Sequence, residues 1–244
     1  MKKKILTLLV GVSAVIHAYA QQNEGVVHYD HKINLHKRIT NEDMRAMVPE
    51  FRTTKMQLNI NSSESLFKVV EQFNQESEAS DGNGNTVRTI FRAPQNEIYR
   101  NYDTQRSIEL RELAGQKFLI EDTLRRTPWK FTADTKKIQG YDCLKATMIN
   151  KSNNHPIVAW FTEAIPLSSG PENFGGLPGL ILEVDVNDGE HIYTMTKIDF
   201  KKLSKEELKT PTGGKKITAA EFTKKRDEFM KEMGGQGGIR IIRN

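Results

Sequence analysis

The sequence lacks the features that mark well-known enzyme classes. Its 244 residues contain a single cysteine, Cys143, so no intramolecular disulfide can form. The nucleophile elbow G-x-S-x-G, the zinc motif H-E-x-x-H and the phosphate-binding motif G-x-x-x-x-G-K are all missing. We therefore predict a protein that needs no metal or other cofactor, that is stabilised by packing, and that is not an enzyme of a standard type.

The chain also lacks a dominant charge. The formal charge of +5 includes three lysines at residues 2–4, which leaves +5 − 3 = +2 for the chain after residue 20. Lysine and arginine are interspersed with aspartate and glutamate, whereas a protein that binds nucleic acid concentrates its basic residues. We therefore expect no nucleic-acid partner. Cys143 lies in an alternating apolar stretch, which favours a small buried residue over a reactive thiol.

The first twenty residues have the pattern of a secretory signal peptide. Three lysines precede an apolar run from Ile5 to Ile16, and Ala18 and Ala20 form an A-x-A cleavage site. The run is shorter than the roughly 20 residues needed to span a bilayer, and no later stretch is apolar enough to do so. We expect cleavage after Ala20 and a soluble mature protein in the periplasm or outside the cell.

Short segments in which apolar and polar residues alternate dominate the rest of the chain. In the first, from Gly25 to Lys37, Val27, Tyr29 and Ile33 alternate with polar residues. Two similar segments follow at 55–61 and 65–71. Further segments, each bounded by Gly, Pro, Asn or Asp, lie at 86–92, 97–102, 107–113, 117–124, 142–150, 157–162, 180–186 and 191–200. Such boundaries favour hairpins, so we predict one α+β, β-dominated domain over residues 21–244 with a large curved antiparallel sheet.

Three segments depart from this pattern. Residues 72–85 have almost no apolar content and end in D-G-N-G-N, which predicts a flexible loop. Thr218 and Glu221 form a capping box for an amphipathic helix over 219–233, whose Phe and Met side should pack on the sheet. The tail, 236–244, is glycine-rich and then briefly apolar, so it either adds an edge strand or is disordered.

Residues 170–182 compress four glycines and two prolines into thirteen positions before an apolar run. Pro178 and Gly179 fit the central positions of a type II turn. Gly175 and Gly176 allow a close backbone approach that a side chain would block. The segment therefore predicts a tight apolar corner that leads into a buried strand.

This corner resembles a known family. Gly176, Leu177, Pro178, Gly179, Leu180 and Ile181 spell the signature of the GLPGLI family, a group of secreted proteins from Bacteroidota. The neighbouring G-Y-x-C-x-K-A element at 140–146 and the A-W-F-T strand at 159–162 agree with that resemblance. The family has no established activity, so the resemblance implies an exported β protein and no catalytic residues. Its long antiparallel strands are similar to the half-open barrels of periplasmic lipoprotein carriers, a likeness of fold alone.

The candidate ligand-binding residues are apolar: Trp160, Phe161, Phe174, Leu177 and Leu180. They could line a groove for a lipid or an apolar peptide, or they could be ordinary core.

Polar alternatives are weaker. His28 and Asp30 are neighbours on one strand face, and residues 81–85 imitate only the start of a calcium loop. Asp188 and Gly189 lie between two alternating segments and predict a hairpin turn rather than an acid–base site.

These patterns predict a non-enzymatic binding or assembly factor of the cell envelope, with an apolar ligand or an outer-membrane protein as its partner. A hydrolase of unfamiliar type that acts on an envelope substrate is the first alternative. A passive accessory subunit of an outer-membrane complex, bound through an exposed edge strand, is the second.

Overall fold

The computed structural model describes residues 23–70, 75–80, 86–91, 94–232 and 241–243. The predicted signal peptide lies outside these residues. The strands are β1 Gly25–Asn34, β2 Phe51–Ile60, β3 Glu64–Val69, β4 Gln75–Ser80, β5 Thr86–Phe91, β6 Glu97–Asn101, β7 Arg106–Leu113, β8 Gln116–Thr123, β9 Lys130–Ile138, β10 Tyr141–Asn150, β11 His155–Thr162, β12 Leu180–Val186, β13 His191–Phe200, β14 Lys215–Ile217 and β15 Ile241–Arg243. The helices are α1 Glu42–Met47 and α2 Ala219–Glu232, with 3₁₀ turns at His36–Arg38 and Lys205–Leu208.

Twelve strands form one curved, unclosed sheet, which confirms the predicted architecture. Their order is β14-β8-β7-β6-β3-β2-β1-β13-β12-β11-β10-β9, and every pair is antiparallel except β14 with β8. Within the described residues, β14 and β9 are therefore its edges. Strands β15, β5 and β4 form a separate small sheet.

The small sheet bears on the predictions for the loop 72–85 and the tail 236–244. Residues 75–80, which belong to the predicted flexible loop 72–85, form β4 and pair with β5. A hairpin is held by backbone hydrogen bonds, so its strand needs no apolar alternation. In the tail 236–244, residues 241–243 pair with β5, which confirms the edge-strand alternative for that part.

The main core lies on one face of the large sheet, called here the inner face. Tyr29 from β1, Phe67 from β3 and Phe161 from β11 are among its fully buried members. Cys143 lies in the same cluster, as predicted, and burial raises the pKa of its thiol to about 11. The opposite, outer face carries a smaller cluster of Leu66, Tyr99, Ile108 and Leu208.

The segment 163–179, called here the corner loop, covers the inner face. Ile165 and Leu177 are buried in the main core, and the backbone N–H of Leu180 donates to the carbonyl of Ile165 at 3.0 Å. The predicted type II turn is wrong. The carbonyl of Leu177 accepts from the N–H of Gly179 at 2.8 Å, two residues on, as in a γ-turn centred on Pro178.

Helix α2 begins as predicted, because the hydroxyl and backbone N–H of Thr218 both donate to the Glu221 carboxylate, at 2.8 and 2.9 Å. Its packing is looser than expected, since none of its residues is buried. The ring of Phe222 meets that of Phe118 on the inner face of β8, 5.8 Å between centroids. Among the described residues, no helix is long and apolar enough to cross a bilayer.

Gly179 provides a test of the corner loop. A Cβ at this residue would lie 2.0 Å from the carbonyl oxygen of Thr162, so Gly179→Ala must displace β11 or the loop. We expect the free energy of unfolding to fall by about 3 kcal/mol or more, measured by urea denaturation. Gly140→Ala is the matched control, because φ is +84° there and a Cβ would meet no atom within 4 Å. It should cost only about 1–2 kcal/mol, and an equal loss in both variants would contradict the proposed clash.

Candidate functional site

The polar side of the inner face lies on β6, β7 and β8. Along β7, Ser107, Glu109 and Arg111 alternate with Ile108 and Leu110, as in any half-buried strand. Ile108 packs into the outer cluster, so the three polar residues point inward. The inner face is therefore apolar under the corner loop and polar beside it.

Polar residues also form a row across the three neighbouring strands β6, β7 and β8. Arg100 on β6 is directly opposite Ser107 on β7, and Ser107 is opposite Asp122 on β8. Arg100 and Ser107 are 5% and 6% exposed, and the Ser107 hydroxyl has no hydrogen-bond partner among the described residues. A buried hydroxyl without a partner is unfavourable, which makes this row a candidate binding surface.

Arg100 holds the corner loop against the inner face. Its guanidinium donates to the carbonyl oxygens of Phe174 and Glu172 and to the side-chain oxygen of Asn173. Gly175 leaves little space there, since a Cβ on it would lie 3.3 Å from Nη1 of Arg100. The predicted close approach at the glycine pair is therefore real at Gly175. Gly176 instead supplies a φ of +80°.

Arg111 joins two carboxylates. Its Nε lies 2.8 Å from Glu109 and its Nη1 lies 2.9 Å from Glu172 on the corner loop. Burial alone would lower the pKa of Arg111, but the carboxylates of Glu172 and Glu109 raise it above its ordinary value. The Arg111 guanidinium therefore stays charged, and its two ion pairs hold the loop against β7.

Two further contacts anchor the walls. The Tyr102 hydroxyl donates to Ser169 on the corner loop at 2.8 Å and lies 2.7 Å from the Ser65 hydroxyl. Trp129 donates its indole N–H to the carbonyl of Gly175 at 2.9 Å, which attaches the connection between β8 and β9 to the same loop.

These elements enclose an open groove of about 1150 Å³. Its floor is the polar part of β6–β8, and its walls are the corner loop, residues 124–128 and the first two turns of α2. Arg125, Arg126 and Arg226 stand at its rim, and all three are exposed. Phe222 lines it as well, so the groove combines charged groups with an aromatic ring.

The apolar residues singled out in the sequence are elsewhere. Phe161, Leu177 and Leu180 are buried in the main core, as in the alternative that the sequence left open. Trp160 packs against that core with the Lys136 ammonium 4.5 Å from its ring centre, and Phe174 tilts against Trp129. None of the five lines the groove. Of the signature, Gly176 lines the groove, whereas Ile181 and its neighbours are core and Pro178 is exposed.

Sequence reasoning missed the polar floor. The alternation along β7 is visible in the sequence, but polar positions of a strand are ordinarily assigned to solvent. Arg100, Glu109 and Arg111 lie far along the chain from the corner loop that Arg100 and Arg111 contact, so no local signal marked them.

The weaker candidates have structural partners. His28 lies 3.1 Å from Asp199, while Asp30 pairs with Lys55, so the two neighbours do not converge. In the part of the chain that the structure describes, no three potential metal ligands cluster. The hairpin at Asp188 and Gly189 is confirmed as the turn between β12 and β13, and residues 81–85 lie outside the described residues.

A second polar cluster lies at the end of β1 and β13. Nε2 of His31 is 2.9 Å from Nδ1 of His191, whose Nε2 is 2.5 Å from the Arg38 guanidinium. Arginine can only donate, so Nε2 of His191 accepts and its Nδ1–H donates to His31. Burial, and then the charge of Arg38, lower the pKa of His191 to about 4; burial and His191 lower that of His31 well below 6.5.

The chain matches a known protein family and is similar in fold to solved structures. The model of the family described as N-glycanase peptide, N-terminal domain, matches residues 59–223. Structures of PNGF-II in the P21 and C2 space groups are similar, with TM-scores of 0.56 and 0.55 at 16% and 17% identity. These alignments cover 85% and 84% of this chain but 34% and 33% of PNGF-II, so the chain spans about a third of that length. Identities this low show a shared fold alone. No curated protein matches.

The histidine pair predicts an acid-sensitive fold. Both pKa values are lower in the folded protein than the unfolded value of about 6.5, so unfolding takes up protons. The free energy of unfolding should hold above pH 6.5 and fall by on the order of 2 kcal/mol as the pH drops to about 4. His191→Gln keeps an acceptor for Arg38 and a donor for His31, and its urea-denaturation midpoints should change less over that range. His155→Gln should keep the wild-type dependence; equal dependence in all three proteins would refute the assignment.

Proposed function

The chain belongs to the family described as N-glycanase peptide, N-terminal domain, and from that membership we propose that it binds glycan chains in the polar groove. The observation that carries the proposal is the inward-facing row of Arg100, Ser107 and Asp122 on the groove floor. Sugars present many hydroxyl groups, each of which both donates and accepts. Carboxylates accept from such hydroxyls, and guanidinium groups donate to them.

The chemistry of the groove favours a glycan over the lipid or apolar peptide expected from the sequence. The groove carries five arginines and four carboxylates beside apolar residues such as Leu113, Leu124 and Met148. The apolar side chains thought to line a lipid site lie instead in or against the main core. An apolar ligand would have to bury these charges without compensation. Of the two phenylalanines of α2, Phe222 lines the groove and offers a ring on which a sugar could stack.

Binding without catalysis is the form of the proposal that the chain supports best. The matching family is described as an N-terminal domain. Two of the groove carboxylates, Glu109 and Glu172, are ion-paired with Arg111. Both carboxylates are thereby engaged in holding the corner loop against β7. A hydrolase acting in this groove remains the alternative.

We also propose export, and a structural role for the GLPGLI-like signature. The lysines, the apolar run and the A-x-A site support cleavage after Ala20. The clash of a Cβ at Gly179 and the burial of Leu177, Leu180 and Ile181 support a pivot that positions the corner loop beside the groove. An outer-membrane protein as partner stays a prediction.

Asp122 and Glu121 offer a matched test of glycan binding. They are adjacent on β8, but Asp122 lines the groove while Glu121 pairs with Arg106 on the outer face. We expect a free biantennary N-glycan to bind, and Asp122→Asn to weaken binding about tenfold through a lost charge-assisted hydrogen bond. Glu121→Gln should leave the affinity unchanged, as measured by isothermal titration calorimetry.

Two results would overturn this proposal. Equal affinities for wild type and Asp122→Asn would place the glycan elsewhere. Release of the glycan from a glycopeptide by the purified protein, followed by mass spectrometry, would favour the hydrolase alternative.

Export has its own test. The protein should be recovered from the periplasm or the medium, and its intact mass should correspond to a chain that begins at Gln21. Replacing Ala18 and Ala20 by bulky residues should leave the uncleaved form. A cytoplasmic full-length chain in the unaltered protein would contradict the proposal.

A further inference from the structure

The cations that line the groove are all arginines. The chain contains 13 arginines and 23 lysines, yet five arginines and no lysine line the groove. A guanidinium is a planar fork that binds a carboxylate through two parallel hydrogen bonds, which an ammonium cannot do. Arginine at all of these positions therefore favours a ligand that carries a carboxylate group.

The lining also has an excess of one positive charge. Its five arginines face four carboxylates: Glu109, Glu112, Asp122 and Glu172. A ligand with one negative charge would bring this set to neutrality. A phosphate, with nearly two charges, or a densely sulfated chain would instead meet repulsion from the carboxylates on the floor.

The pairing pattern shows where the positive charge is available. Arg111 is bound by two carboxylates, and Arg125 pairs with Asp122. Arg126 makes no ion pair with a described residue, and the pair of Arg226 with Asp227 is between exposed neighbours, which is a weak interaction. Arg126 and Arg226 reach the rim from two different elements, residues 124–128 and α2.

Deeper in the groove, Arg100 is another arginine whose positive charge is available to a ligand. Its three hydrogen-bond acceptors on the corner loop are all uncharged, so its guanidinium has no direct carboxylate partner among the described residues. Beside it in register, the Ser107 hydroxyl is buried and unpartnered. Both groups line the groove and could donate to an accepting oxygen of a ligand.

We propose that the groove selects glycans that carry a single carboxylate group, as a sialic acid or a uronic acid does. This inference rests on the proposed glycan binding and names its ligand class. Arg126 and Arg226 hold the carboxylate at the rim, and the row from Arg100 to Asp122 binds the neutral sugar hydroxyls.

The test compares one N-glycan bearing a single sialic acid with the same glycan after the sialic acid is removed. We expect the acidic form to bind about tenfold more tightly, and that difference to shrink between about 50 mM and about 500 mM salt. Arg126→Gln and Arg226→Gln should each remove most of the difference in affinity between the two glycans. Both residues are exposed, so neither variant should affect folding.

Arg106→Gln is the control, because Arg106 lies on β7 beside Ser107 but points to the outer face, where it pairs with Glu121 at 2.9 Å. It removes the same charge from the protein and should not change either affinity. Equal binding of the two glycans, or an equal loss in Arg106→Gln and Arg126→Gln, would overturn the selectivity while glycan binding itself stands. Failure of both glycans to bind would instead refute the proposed function.

Discussion

The arrangement of the molecule depends on the docking of one loop onto one face of a sheet. The corner loop carries its apolar residues into the main core and its backbone carbonyls onto Arg100. A guanidinium that is almost fully buried is tolerated only where its donors are satisfied, and here the loop supplies three acceptors. The docked loop therefore supports both the core and the groove. If the loop shifted, Arg100 would lose its partners and the groove would lose a wall.

That contact also divides the inner face by chemistry. Where the loop covers the sheet, the inward positions are apolar, as at Phe67 and Phe161. Beside the loop they become polar, at Ser107, Glu109 and Arg111, while the apolar residues of β7 turn outward beneath the 3₁₀ turn at 205–208. A sheet covered on both faces can reverse the polarity of its alternation in this way, because neither face is simply solvent.

Contacts between different elements hold the polar groups of the groove in place. Its floor is held by ion pairs and hydrogen bonds between different elements, with Arg111 bridging β7 and the loop, and Trp129 bridging the 124–129 connection and the loop. Preorganised polar groups of this kind favour a ligand that can replace water at many positions. The wall formed by α2 has no buried residue, and Phe222 attaches the helix to Phe118.

The local sequence determined most of the strands, one hairpin turn and the start of α2. Alternation at residues such as Val27 and Tyr29, the D-G turn at 188–189 and the Thr218–Glu221 cap each depend on near neighbours, so strands, hairpin and helix start could be predicted. Strands β4 and β9 could not, because edge and hairpin strands are held by backbone pairing without an apolar face. The candidate site was decided only by tertiary structure. Which face of β7 meets solvent and which meets the groove depends on the corner loop and α2, which are distant from β7 in sequence. The alternation along β7 would be identical in both cases.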